Sequence, residues 1–406
     1  MASDSNESIS TNYKTFIQIL LICSISNYFA YVQAKYLEDN YPKKVIEDAH
    51  LDTAQLIEKY KYPIETHYVT TNDNYILRLH RIANPKAPPI LFMHGLVDSS
   101  ATWVLMGPNK APAYYFFDNG YDVWLGNSRG NRYSRNHTTL DPNTDQEFWK
   151  FSWHEIGFYD LPIIIDHILK ETGFKKIAYF GHSQGTTAFW VLCSLQPQYN
   201  EKITVMHALA PVAYLKHIKT PLIKHFREFA KASKDRVREF LPRNVMMFQM
   251  CFISQMTENM CIQFLNQLMG NDGEQTNSTM YPVIFGHVPA GCNLKQFDHY
   301  LQIVKNDRFC QYDYEREENM KRYNHSIPPV YPLEKVIVPV GLHYTYNDYL
   351  SSDIDVKRLA EKLPNVVENV LYPYKTWNHI SMLWGVDARR LAHERMLKLL
   401  KKYPFE

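Results

Sequence analysis

Residues 179–190 read YFGHSQGTTAFW. An apolar run enters the turn Gly181-His182-Ser183-Gln184-Gly185, and a second apolar run leaves it. The first run, KIAYFG, has the length of a strand buried on both faces; the second, GTTAFWVLCSLQ, has the length of a buried helix. G-x-S-x-G between a strand and a helix is the setting in which a serine sits on a strained turn with its hydroxyl raised above the sheet. The two glycines read sterically, because side chains at 181 or 185 would collide with the neighbouring strand and helix. The same five residues also suit a plain small-residue turn, so the rest of the chain has to decide.

Working outward, THYVTTNDNYILRLHRI (66–82) reads as a β-hairpin whose alternating runs flank Asn72-Asp73-Asn74. PPILFMHG (88–95) and YDVWLGNSRGN (121–131) read as buried strands ending in turns. DLPIIIDHILKETG (160–173) reads as a helix with Asp160 as N-cap and Gly173 as stop. ITVMHALAP is the next strand. Strands alternating with helices predict an α/β fold with a mostly parallel sheet. The alternation stops after Pro211 and resumes near KVIVPVGLHY (335–344), followed by the helix DVKRLAEKLPN, the strand VVENVLYPY and a last helix from Asp387. The expected organisation is a first core part over 35–212, an inserted, mostly helical segment over 213–333, and a second core part over 334–406.

A serine hydroxyl needs a base, and the base needs an orienting partner. On this type of sheet the chain order is Ser, then Asp or Glu, then His. Asp348 lies at the carboxyl end of the returning strand, and His379 follows the next strand in TWNHISMLWG. Asp353 and Asp355 also precede His379, but they fall at a helix start, where Asp serves as a cap; position favours Asp348. Two N–H donors for an oxyanion are expected from Gln184, after the nucleophile, and from Leu96, after the strand ending at His94-Gly95. His182 is expected to pack in the elbow, and His393 to face solvent from the last helix.

Composition sets the wider limits. The hydrophobic fraction of 45% and charged fraction of 21% over 406 residues permit a sizeable core. A net charge of +2 without a basic run excludes nucleic acid as an expected partner. No Cys/His spacing fits a metal site, and no cofactor is implied. At the N-terminus, Lys14 precedes an apolar stretch too short to span a bilayer, and Val32-Gln33-Ala34 resembles a signal-peptidase site. Residues 1–34 are therefore expected to be a signal peptide cleaved near Ala34. Asn136, Asn277 and Asn324 head glycosylation triplets, in keeping with a secretory route. Of the cysteines beyond the signal, Cys193 reads as a buried thiol. Cys251 with Cys261 is the favoured disulfide, and Cys292 with Cys310 is a second candidate.

Several stretches together resemble a known family. LFMHGLVDSSATWV, YDVWLGNSRGNRYSRNHTTLDP, FWKFSWHEIGFYDLP, YFGHSQGTT and NHISMLWG, with YPIETHYVTTNDNYILRLHRI before them, are similar to the acid lipases: the animal lysosomal and gastric lipases and their insect relatives. The resemblance implies an α/β-hydrolase core under a helical cap and lid. It also implies hydrolysis of neutral lipid esters (triacylglycerols or cholesteryl esters), at a lipid or lipid-droplet surface, in a secreted or lysosomal setting. Matched residue by residue, Ser183 is the nucleophile, His379 the base and Asp348 the acid, with Leu96 and Gln184 as oxyanion donors. Cys251 and Cys261 fall near a family disulfide of the lid. The chain departs from the family pattern at Tyr344 and Tyr346, where Gly-rich residues precede the acid, at Ser381, where Asp is common, and at Cys292, where Thr is usual. Two other readings are a lipid-binding homologue without catalysis and a serine esterase or thioesterase acting on soluble substrates.

Overall fold

The computed structural model describes residues 28–232, 238–242, 245–271, 273 and 275–405. Eleven strands are present among them: β1 Ile64–Thr70, β2 Tyr75–Ile82, β3 Pro89–Met93, β4 Asp122–Leu125, β5 Asn136–His137, β6 Ile177–His182, β7 Ile203–Leu209, β8 Glu239–Phe240, β9 Cys292–Asn293, β10 Val340–Thr345 and β11 Val366–Tyr372. The main sheet runs β1-β2-β4-β3-β6-β7-β10-β11, with β5 beside β2. From β4 to β11 every neighbour is parallel, and β1 and β2 add an antiparallel edge. The hairpin turn carries Asn74 at φ 71°, a left-handed position that Asn tolerates.

Side chains alternate between the two faces of the sheet and fill two cores. Leu91, Met93 and Tyr179 point into one, with the elbow helix Gln184–Leu195 and the helix Leu161–Thr172. Ile90, Phe92, Ala178 and Phe180 point into the other, with Trp103, Phe116 and the C-terminal helix. Both faces of β3 and β6 are covered, which is why these strands read as continuous apolar runs.

Between β7 and β10 the chain is mainly helical, with Gln255–Met269 and Leu294–Asn306 as its longest helices and β8–β9 as a small antiparallel pair. Cys251 and Cys261 form a disulfide, with Cα atoms 5.9 Å apart. The second candidate pair is not formed: Cys292 and Cys310 are buried free thiols. Cys292 pairs with Phe240 in the small sheet, whereas Cys310 bridges Val330 and its carbonyl accepts from His299 Nε2 at 3.0 Å. Cys193 is a buried thiol as read. The expected signal segment lies outside the described residues up to 27; residues 28–40 are helical, so Ala34 falls within a helix. Asn136, Asn277 and Asn324 are all exposed. Among the described residues no helix is long and apolar enough to cross a membrane.

Two readings near helix ends are corrected. Asp160 does not cap its helix, which is entered through a wide turn at Ile156–Asp160. Its carboxylate instead accepts from Arg129 Nε at 2.7 Å and Arg129 N–H at 3.0 Å. The other side of that guanidinium reaches Asp73, and Tyr75 lies under it, 4.0 Å away. His393 does not face solvent: a wide turn at Arg389–His393 rotates it inward, where it is buried and its Nε2–H donates to Met382 O at 2.7 Å.

Removing one partner of a buried ion pair leaves an uncompensated charge. Arg129→Met, which strands the buried Asp160, is expected to lower unfolding stability by about 3–5 kcal/mol, read from urea denaturation. Burial also pushes His80, His94, His182, His343 and His393 down to about 3, 4, 3, 3 and 4. The unfolded chain therefore binds more protons than the folded one below about 6.5, the ordinary histidine value. The stability these groups contribute is present in full above that pH and is lost as pH falls toward their folded values. Asp98 and Asp160, pushed up to about 7 and about 6 by burial, work in the opposite sense, as two groups against five. A falling melting temperature between pH 6.5 and 4 is expected by calorimetry; a flat profile would contradict it.

Candidate active site

Ser183 is the pivot between β6 and the elbow helix, with φ 51° and ψ −114°. This backbone conformation is sparsely populated and costs about 1–3 kcal/mol for a residue with a Cβ. The surroundings enforce it. Ser183 N–H donates to Leu209 O at the end of β7 at 3.0 Å, and Ser183 O accepts from Thr186 N–H at 2.9 Å and from the Thr186 hydroxyl at 2.6 Å. A Cβ on Gly181 would stand 2.9 Å from the Gly185 carbonyl carbon, and one on Gly185 would stand 2.3 Å from Met93 O. Only glycine fits at either place, so the steric reading of the turn holds.

His379 and Asp348 come together from loops after β11 and β10. His379 Nδ1 lies 2.8 Å from Asp348 Oδ2 and 3.0 Å from Oδ1, with both side chains buried. Asp348 Oδ1 also accepts from Leu350 N–H at 2.8 Å and Ser351 N–H at 2.7 Å, which fixes the carboxylate and assigns the Nδ1 proton to the side facing it. Nε2 is the remaining ring nitrogen, and among the described residues it has no hydrogen-bond partner. The competing carboxylates are engaged elsewhere: Asp355 accepts from His217, and Asp353 pairs with Lys219 and Lys357. His182 is buried under the site, its Nε2–H donating to His379 O at 2.9 Å. Burial, with His379 nearby, pushes it down to about 3, so it is a neutral donor.

The backbone N–H groups of Leu96 and Gln184 have no acceptor among the described residues. The loop after β3 abuts the elbow: a Cβ on Gly95 would lie 3.3 Å from Ser183 Cβ. His94 holds this loop. Its Nδ1–H donates to Gly95 O at 2.8 Å, and its Nε2 accepts from Ser128 N–H at 3.2 Å and Asn131 Nδ2 at 3.1 Å. Burial pushes His94 down to about 4, which keeps Nε2 an acceptor. Ser128 and Asn131 were not singled out from the sequence; their signal was the NSRGN run after a strand whose end faces the His94 loop.

The helical segment sits directly on this site. Gln184 Nε2 donates to Gln296 Oε1 at 2.8 Å, and Tyr300 OH donates to Thr187 Oγ1 at 3.0 Å. His299 stacks on Trp153 with centroids 3.7 Å apart. The Met- and Phe-rich stretch divides by face. Phe248 and Phe252 are buried against Leu37 and Ala49, while Met256, Met260 and Phe264 are 69%, 64% and 54% exposed. These three, one helical turn apart, line a shallow groove of about 610 Å³ with Asn259, Gln263 and Gln267. Among the described residues no three His, Cys, Asp or Glu side chains stand where they could share a metal ion.

Residues 53–107 match the family described as the partial α/β-hydrolase lipase region, and residues 88–241 match the α/β hydrolase fold. Lipase 1 of Drosophila melanogaster is 47% identical over 367 residues, which cover 89% of this chain and 82% of that one. The gastric triacylglycerol lipase of Bos taurus is 34% identical, covering 87% of this chain and 92% of its own. The solved structure of the carboxylesterase CesB from Bacillus subtilis superposes with a TM-score of 0.51 at 12% identity, covering 87% of this chain and 96% of that one, and shares the fold. Sequence likeness of this depth along nearly the whole chain, on this sheet, has one consequence: the chain belongs to the α/β-hydrolase lipases, the family of the gastric and Drosophila lipases, and is a carboxylic ester hydrolase.

Proposed function

We propose that this protein hydrolyses neutral lipid esters, triacylglycerol or cholesteryl ester, through an acyl-enzyme on Ser183. The observation that carries the reading is the 2.8 Å contact between His379 Nδ1 and Asp348, beside a serine held in a strained elbow. Ser183 Oγ attacks the ester carbonyl carbon while His379 Nε2 takes the hydroxyl proton. The oxyanion that forms is received by the free N–H groups of Leu96 and Gln184, a contribution of about 10²–10³ in rate per donor. The C–O bond to the alcohol then breaks, and His379 returns its proton to the departing oxygen. Water attacks the acyl-Ser183 carbonyl, His379 takes its proton, and collapse releases the fatty acid and restores the serine hydroxyl. Asp348 keeps Nδ1–H oriented and stabilises the imidazolium in both halves.

The segment 213–333 acts in this reading as cap and lid, between core parts 35–212 and 334–406. The exposed Met256, Met260 and Phe264 are the side chains that would meet a lipid or droplet surface. Met accommodates acyl chains of varied shape. The name of the bovine relative supports a triacylglycerol substrate, and the accessible sequons at Asn136, Asn277 and Asn324 support a secretory route, with residues 1–34 as the signal.

Ser183→Ala is expected to abolish turnover, and Asp348→Asn to lower kcat about 10⁴-fold with the fold retained, measured on a soluble short-chain ester. Equal rates for wild type and Ser183→Ala would refute the mechanism. Against a panel of triolein, cholesteryl oleate and the soluble ester, the wild type is expected to turn over at least one of the two lipids. Activity on the soluble ester alone would remove the lipid substrate and leave a serine esterase.

A further inference from the structure

We propose that the C-terminal turn of the helix Gln255–Met269 is a strut that sets the alignment of Asp348 with His379, with Gly270, Asn347 and Asn378 as its positioning residues; the inference rests on the roles given above to Ser183, His379 and Asp348.

A helix leaves its last carbonyls without intrahelical partners. Here the carbonyl of the last helical residue, Met269, and those of the two residues after it are taken by the two loops that carry the acid and the base. Met269 O accepts from His379 N–H at 3.2 Å and from Tyr349 N–H at 3.3 Å. Gly270 O accepts from Asn378 Nδ2 at 2.8 Å, and Asn271 O from Asn347 Nδ2 at 2.5 Å. The residues flanking Asp348 and the residue preceding His379 are thus tied to one helix end, and His379 is tied through its own amide. Beyond the turn, Val386 N–H donates to Gln275 O at 2.8 Å, and Thr276 bridges Gly385, so the segment at 275–276 also follows the His379 loop.

The contact is close as well as hydrogen-bonded. Gly270 has φ 107°, and a Cβ there would stand 2.0 Å from Asn347 O and 3.1 Å from Asn378 Cβ. Both loops therefore meet at a point where only a glycine fits. The helix itself is stiffened from its start: Ser254 forms a capping box with Thr257, and the Cys251–Cys261 bridge ties its second turn to the preceding segment. Asn378 is held in register by its own ring of bonds, Oδ1 accepting from Ile380 N–H at 3.1 Å and Ser381 Oγ at 2.9 Å. Ser381 supplies part of that ring. A rigid element of the inserted segment therefore fixes the backbone on both sides of the Asp348–His379 hydrogen bond. Small displacements of reacting groups cost up to about 10²-fold in rate, so the strut bears on turnover rather than on substrate capture.

Gly270→Ala and Asn347→Ala test this on the full-length enzyme with a soluble short-chain ester. The expected result is a tenfold to hundredfold loss of kcat with KM within about twofold, and a displaced or lost downfield proton resonance of the His379 Nδ1–H···Asp348 bond. The melting temperature reports whether each variant is folded; if Gly270→Ala is not, Asn347→Ala decides alone. Folded variants with wild-type kcat and an unmoved resonance overturn the proposal. So does a loss of kcat with the resonance unmoved, or a rise in KM alone. Failure of the underlying reading is separate: it appears as a Ser183→Ala enzyme as fast as wild type, whatever the strut variants do.

Discussion

The backbone of Ser183 is the constraint on which the other parts of the site depend. A residue with a Cβ at φ 51° and ψ −114° is held only because the chain on either side leaves no other course. Gly181 allows β6 to approach the elbow helix, and Gly185 allows that helix to approach the end of β3, within distances that no side chain would permit. Leu209 O and Thr186 N–H then take the two backbone groups that the turn exposes. The conformation places the serine hydroxyl on the rim of the sheet and leaves the Gln184 N–H, at the start of a helix, without an acceptor. That donor is one of the N–H groups that the first turn of any helix leaves unpaired.

Around this pivot the protein uses neutral histidines as hydrogen-bonding spacers. His94 and His182 each join one loop of the site to another, and burial keeps both uncharged. A buried imidazole presents one donor and one acceptor on opposite edges, so it can connect a carbonyl on one side to an N–H on the other. His94 does this between Gly95 O and the Ser128–Asn131 turn. The Arg129–Asp160 pair does the corresponding work with charge, beneath the same turn. The rim of the sheet is therefore shaped by polar groups buried behind it.

The inserted segment is joined to this rim along both edges. Gln296 and Tyr300 meet the elbow helix, and the end of the helix Gln255–Met269 meets the loops of Asp348 and His379. Its apolar side chains divide accordingly: Phe248 and Phe252 are buried, and Met256, Met260 and Phe264 remain on the outer face.

The sequence by itself determined the parts governed by local chemistry. Strands covered on both faces read as apolar runs, the hairpin reads from Asn72-Asp73-Asn74, and the G-x-S-x-G turn, Asp348 and His379 read from type and chain order. The close disulfide pair Cys251–Cys261 was legible for the same reason. Only the tertiary structure decided what depends on which loops meet. Asp160 looked like a cap because Asp before Pro-containing helices usually is one, and it became the partner of Arg129 because the sheet brings residue 129 above it. His393 looked exposed because the helical period places it outward, until one wide turn rotated it inward. Cys292 and Cys310 are close in sequence, but one is paired with Phe240 and the other with Val330. The carbonyls of Met269 and Gly270 carry no signal in the sequence, since backbone groups are common to every residue, and their partners are set by the folding of a distant segment onto the rim.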